Sequence, residues 1–182
     1  MKTHIALLRG INVTGHNKIK MTELKRLFES LGYYNVVTYI QSGNVIFQSK
    51  EKNATYIEQT IVETVEKQFG HTIKVLVLTK NELTFIFDSN PFIEKDENID
   101  ITKLHVTLLN ANPEITVIPS IEKLTSATDD EFKIIEKTVY LYCPNGYGKT
   151  KLNNNLFEKK LKANATTRNW KTITKLVELS NQ

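Results

Sequence analysis

Apolar residues along the chain repeat with two periods, and the change from one to the other marks out the elements. His4 to Leu8 is a short apolar run of the kind a buried strand presents. Leu24, Leu27, Phe28 and Leu31 fall at i, i+3, i+4 and i+7, which predicts a helix entered at Thr22 and ended by Gly32. Val36 to Gln41 and Val45 to Gln48 read as strands joined at Ser42-Gly43-Asn44, a hairpin-type connection. Ala54 to Phe69 carries Ile57, Ile61, Val62, Val65 and Phe69 on one helical face before Gly70, and Ile73 to Leu78 is a fourth strand. The predicted order is β-α-β-β-α-β, the ferredoxin-like arrangement.

Thr79-Lys80-Asn81-Glu82 has capping-box spacing and opens a short helix that stops before Pro91; Glu94 to Asp100 reads as an acidic linker. A second series follows: a strand at Leu104 to Leu109, a short helix at Pro119 to Ala127, and a hairpin of Glu131 to Ile135 with Thr138 to Tyr142. Helices at Leu152 to Leu161 and Arg168 to Leu179 complete it, the last capped by Thr166 or Thr167. The pattern therefore predicts an α+β protein of two α/β subdomains. The first, residues 1–79, is ferredoxin-like; residues 80–100 connect; residues 101–182 form a related β-α-β-β-α-α arrangement.

Charge adds a direction. Residues 1–35 carry net +4, residues 145–182 net +6, and the stretch between them net −6. If the two ends meet they make a positive patch that suits phosphate or carboxylate groups; otherwise they are two solvated basic faces. Cys143 is the only cysteine, which excludes an intrachain disulfide and fits a reducing cytosol. The apolar run before Arg9 is too short for a signal peptide or membrane span, so a cytoplasmic protein without a membrane partner is expected.

The densest chemistry lies in the first strand-to-helix connection, Arg9-Gly10-Ile11-Asn12-Val13-Thr14-Gly15-His16-Asn17-Lys18-Ile19-Lys20. Backbone amides, side-chain amides and cations ahead of a helix are what an anion-binding loop needs. Gly148-Lys149-Thr150 ends like a phosphate-binding loop, but the glycine required five residues earlier is Cys143, so nucleoside triphosphatase chemistry is rejected. The first and third strands lack the aromatics with which RNA-recognition modules stack bases. The four histidines have no metal-ligand spacing, and neither a nucleophile–base pair nor a carboxylate pair can be named. Arg168, placed in the first turn of a helix, opposes the helix dipole and calls for a partner, either a carboxylate or a ligand.

Four segments together resemble one family. They are Leu8-Arg9-Gly10-Ile11-Asn12-Val13, the hairpin from Thr38 to Val45, Gly148-Lys149-Thr150-Lys151-Leu152, and Thr167-Arg168-Asn169-Trp170-Lys171-Thr172. The family is domain-of-unknown-function 1697, small bacterial proteins. Thr14 stands where the family commonly has glycine, and Lys171 where asparagine is common. The resemblance implies an α+β fold of two subdomains and assigns no substrate, cofactor or catalytic residue. The sequence thus predicts a protein that binds a small anionic molecule or nucleotide in a basic cleft between subdomains. Arg9, Asn12, Lys18, Lys20, Lys151 and Arg168 would hold the anion, and Asn44 and Asn169 would orient it. The competing readings are a nucleic-acid-binding protein, and a transferase or hydrolase acting on a phosphorylated substrate. A bland one also stands, in which Arg9 and Arg168 are internal ion pairs.

Overall fold

The computed structural model describes every residue except Thr14 and the side chain of Ile115. The departure from the family pattern at Thr14 therefore lies outside the described residues. The chain divides into two compact units, Met1–Phe85 with Leu176–Gln182, and Ile86–Lys175.

In the first unit the elements are β1 (Lys2–Arg9), α1 (Met21–Ser30), β2 (Tyr34–Tyr39), β3 (Asn44–Ser49), α2 (Ala54–Phe69) and β4 (Lys74–Thr79), followed by α3 (Lys80–Asp88). The strands pair antiparallel in the order β2-β3-β1-β4. Period-two alternation turns Ala6, Leu8, Val45, Phe47 and Val77 to one face of the sheet. There they form one core with Leu24, Leu27 and Phe28 of α1 and Ile57, Ile61 and Val65 of α2. Asn53 caps α2 through Tyr56 N–H, and Gly70 ends it in the left-handed conformation. The capping box at α3 is formed as its spacing predicts: Glu82 accepts from Thr79 N–H at 2.7 Å, and Thr79 Oγ1 accepts from Glu82 N–H at 3.3 Å. Thr22 does not cap α1. The helix begins at Met21, and Lys20 occupies the cap position with no side-chain cap hydrogen bond among the described residues.

The second unit runs α4 (Pro91–Lys95), β5 (Leu104–Leu109), α5 (Ile118–Thr125), β6 (Glu131–Ile135), β7 (Thr138–Tyr142), α6 (Asn154–Leu161) and β8 (Ala165–Asn169). Helix α7 (Trp170–Ser180) follows β8. The acidic segment 94–100 lies inside this unit. Sheet order is β6-β7-β5-β8, again antiparallel throughout. Leu109, Val139, Leu141 and Ala165 meet Ile121, Phe157 and Leu161 in its core.

Strand β8 corrects the expected β-α-β-β-α-α order. The second unit repeats β-α-β-β-α-β in full, and a helix follows the last strand in each series. Arg168 is consequently a strand residue opposite Val106, not a first-turn helix residue, so the dipole argument for its partner does not apply. Nor do Thr166 and Thr167 cap α7. Asn169 does, its Oδ1 accepting from Thr172 N–H at 2.8 Å.

The two series can be superimposed by register. His4 lies opposite Thr79 and His105 opposite Asn169, and Thr79 and Asn169 each immediately precede a helix. By the same count, the apolar pair Ala6–Val77 of the first unit corresponds to Thr107–Thr167 of the second.

Candidate functional site

The connection from β1 to α1 folds back on itself, and one side chain holds it. Asn12 Nδ2 donates to the carbonyls of Ile19 at 2.9 Å and Gln41 at 3.0 Å, while its Oδ1 accepts from Ile19 N–H at 2.9 Å. Asn12 N–H donates to the Asn17 carbonyl, and Asn17 Nδ2 to that of Gly10. Gly10, Asn12, Gly15 and Asn17 all have positive φ, so glycine and asparagine supply the backbone freedom that this double reversal needs. Ile11 and Ile19 are buried beneath the loop and anchor it to the core.

The β2–β3 turn is joined to this loop. Leu8 N–H donates to the Gly43 carbonyl at 2.8 Å. Gly43 has φ +75°, and a Cβ there would lie 2.8 Å from both Leu8 Cβ and Ile11 Cδ1. Only glycine lets the turn sit this close. In the same turn Ile40 adopts φ +47° while 47% exposed. A left-handed β-branched residue costs roughly 1–2 kcal/mol, and Ile40 has little burial to offset it.

Loop, turn and the start of α1 enclose a depression of about 470 Å³ lined by Asn12, Gly15, Lys18, Ile19, Lys20, Glu23 and Gln41. Lys18 and Lys20 are exposed there, beside a helix start without a side-chain cap. Glu23, in the first turn of α1, is the one carboxylate in this lining.

The predicted site residues take distinct places. Lys18, Lys20 and Asn12 come together at the depression, although the Asn12 amide is spent on the loop's own backbone. Asn44 is fully buried, and its Nδ2 donates to the Tyr39 carbonyl and Ser42 Oγ, so it shapes the turn instead of facing solvent. Arg9 is half-buried at the end of β1, opposite Lys74 and on the sheet face of Ile5 and Leu7. Lys151, Arg168 and Asn169 belong to the second unit. Lys151 is exposed; Arg168 Nη1 donates to the Thr167 carbonyl at 2.9 Å, and burial lowers its pKa to about 10, which keeps it charged at neutral pH. Asn169 is the α7 cap. Trp170 stacks on Phe87 at 5.3 Å, a packing role. Sequence reasoning missed Gln41, which lines the depression and whose carbonyl accepts from Asn12 Nδ2.

In the second unit the Gly146–Thr150 turn is structural. Thr150 Oγ1 donates to Asp130 at 2.6 Å and also accepts from Leu152 N–H. Nearby, Thr167 Oγ1 bonds Thr107 Oγ1, Tyr147 OH and Asn154 Oδ1, and His105 stacks on Tyr147.

His4 and His105 share the same place in their sheets, and burial lowers the pKa of both. His4 is fully buried against Phe47, and neither ring nitrogen has a hydrogen-bond partner among the described residues. The backbone of Glu51 and the carboxylates of Glu82 and Glu51 oppose the lowering, and Lys2 adds to it. A histidine that is harder to protonate when folded binds its proton more readily in the unfolded chain. Its stabilising contribution is complete above about pH 6.5 and is lost as pH falls below that value. Urea denaturation should therefore show lower stability at pH 5.5 than at pH 7.5, and His4→Leu should reduce that difference. An unchanged difference in the variant would exclude His4 as its source.

Fold and site together define a duplicated ferredoxin-like α+β protein with a cation-bearing loop after its first strand. The chain belongs to the family described as protein of unknown function, DUF1697, which matches residues 1–140. Its structure is similar to that of the conserved bacterial protein SP0830 from Streptococcus pneumoniae, with a TM-score of 0.75 and 24% identity over 98% of each chain. That likeness shows the fold. No curated protein matches the sequence. Among the described residues no helix is long and apolar enough to cross a membrane.

Proposed function

We propose that the protein binds a small phosphate- or carboxylate-bearing ligand in the depression of the first unit. The observation that carries this reading is the pairing of Lys18 and Lys20 with a loop whose shape Asn12 fixes through three hydrogen bonds. Preorganised loops lose little entropy on binding, and cations beside an uncapped helix start favour an anion. Glu23 opposes the anion and sets a limit on how far it can move toward α1. Asn12 is a positioning residue here, while Lys18 and Lys20 supply the charge.

Thermal unfolding at low salt against inorganic phosphate, sugar phosphates, nucleotides and carboxylates tests this. A ligand at a hundred times its Kd stabilises by about 2.7 kcal/mol, which in a chain of this length raises Tm by roughly 5–10 °C. Lys18→Ala with Lys20→Ala should abolish the rise and leave the Tm of the free protein almost unchanged, since both side chains are exposed. No shift with any member of the panel would overturn the reading.

A further inference from the structure

Charges of both signs line the depression, Lys18 and Lys20 on one side of the balance and Glu23 on the other. Among the described residues, Glu23 is ion-paired with neither lysine. The side chain of Lys18 lies across Gly15, another lining residue, since a Cβ at Gly15 would sit 3.8 Å from Lys18 Cε. Lys18 and Lys20 are exposed, whereas Glu23 is half-buried, so the carboxylate is the most sheltered of the three charges. Its place in the first turn of α1 offsets part of the cost of that burial and leaves it without a cationic partner.

This mixture of charges discriminates among anions. A ligand that is only negative is drawn to Lys18 and Lys20 and repelled by Glu23 in the same space. A ligand that also carries an ammonium group satisfies all three. Two positive charges and one negative are the mirror image of an organic dianion bearing one ammonium. The volume of about 470 Å³ agrees, because it lies in the range of pockets that take organic ligands and a bare phosphate would leave most of it empty. Gln41, also in the lining, has a side-chain amide that can both donate and accept, which suits the polar middle of such a molecule.

We propose, building on the anion-binding reading above, that the ligand is a small amine-bearing organic dianion, and that Glu23 selects it over anions that lack the amine. The anionic end rests on Lys18 and Lys20, and the ammonium group donates to the Glu23 carboxylate. A phosphate ester of an amino alcohol and an acidic amino acid share this chemistry.

Calorimetric titration of the full chain at low salt tests this with two matched pairs, O-phosphoethanolamine against ethyl phosphate and glutamate against glutarate. In one pair the amine-bearing member should bind more tightly by roughly tenfold or more, the scale of one charge-assisted hydrogen bond. That pair also shows whether the anionic end is a phosphate or a carboxylate. Glu23→Gln should abolish the preference while the amine-free member binds at least as tightly as before, which shows that the variant is folded. Glu23→Asp, which keeps the charge, should retain a preference for the amine. Amine-free members that bind as tightly as their partners in both pairs, and lose affinity when Lys18 and Lys20 are replaced by alanine, would overturn the ammonium contact and leave the anion site standing. A preference that survives Glu23→Gln would overturn the role of Glu23. Loss of both members of a pair in that variant would do the same, since Glu23 would then hold the shape of the site. Absence of binding by all four compounds would overturn this proposal and the anion-binding reading together.

Discussion

Replacement of Gly43 by alanine is expected to destabilise the first unit by about 2–5 kcal/mol, the sum of a left-handed backbone penalty and an overpacking penalty. The overpacking share comes from the 2.8 Å approach to Leu8 Cβ. That atom sits next to the backbone of a buried β1 residue whose N–H is bonded to the Gly43 carbonyl, so it cannot swing aside as the end of a long side chain could. Gly10 provides the comparison. It has φ +81°, but nothing lies within 4 Å of the position its Cβ would take. Gly10→Ala should therefore cost only the backbone share, about 1–2 kcal/mol. Urea denaturation of the two variants separates the contributions, and equal losses would show that close packing of the turn on β1 contributes nothing. Because the turn carries Gln41, Gly43→Ala should also weaken any ligand bound at the depression.

The second large effect is expected at Asn12. Alanine removes three hydrogen bonds and puts a residue poorly suited to φ +55° where asparagine is tolerated. At about 1 kcal/mol net for each bond, reduced where water can replace a partner, the loss is about 2–3 kcal/mol. The pattern across substitutions is more telling than a single value. Glycine keeps the backbone conformation and loses only the bonds, so Asn12→Gly should be the mildest. Aspartate still accepts from Ile19 N–H but sets a carboxylate against the carbonyls of Ile19 and Gln41, so Asn12→Asp should be at least as damaging as alanine. Denaturant midpoints rank the three. If the depression binds its ligand as proposed, affinity should fall in the same order, because a loosened loop must be ordered again on binding. A variant with normal affinity and a disordered loop would show that Lys18 and Lys20 act independently of Asn12.

Most of the elements could be read from local pattern. Where apolar spacing was strong, as in α2, β5 and the β6–β7 hairpin, one face had to be buried and the period left a single choice of element. The elements missed were the short helix α4, at Pro91–Lys95, and strand β8. Ala165-Thr166-Thr167-Arg168-Asn169 has almost no apolar signal, and its threonines suit a helix cap as well as a strand. Its inward side chain Thr167 meets Thr107, Tyr147 and Asn154, so this part of the sheet is buried through hydroxyl and amide pairing. A hydrophobicity pattern carries no record of such pairing.

The sequence alone determined the α+β class, the ferredoxin-like order of the first half and the special loop after the first strand. Each follows from local quantities: side-chain period, the φ freedom of glycine and asparagine, and the positions of charges. Tertiary structure alone decided what those loop residues do. Asn12 and Asn44 looked like ligand-facing amides, yet one secures the loop and the other is sealed inside the turn. Asn169 proved to be a helix cap, and Gln41 joined the site from a different hairpin. Whether an amide faces a ligand or its own chain depends on which backbone carbonyls lie within about 3 Å of it, and chain closure brings those from residues far apart in sequence.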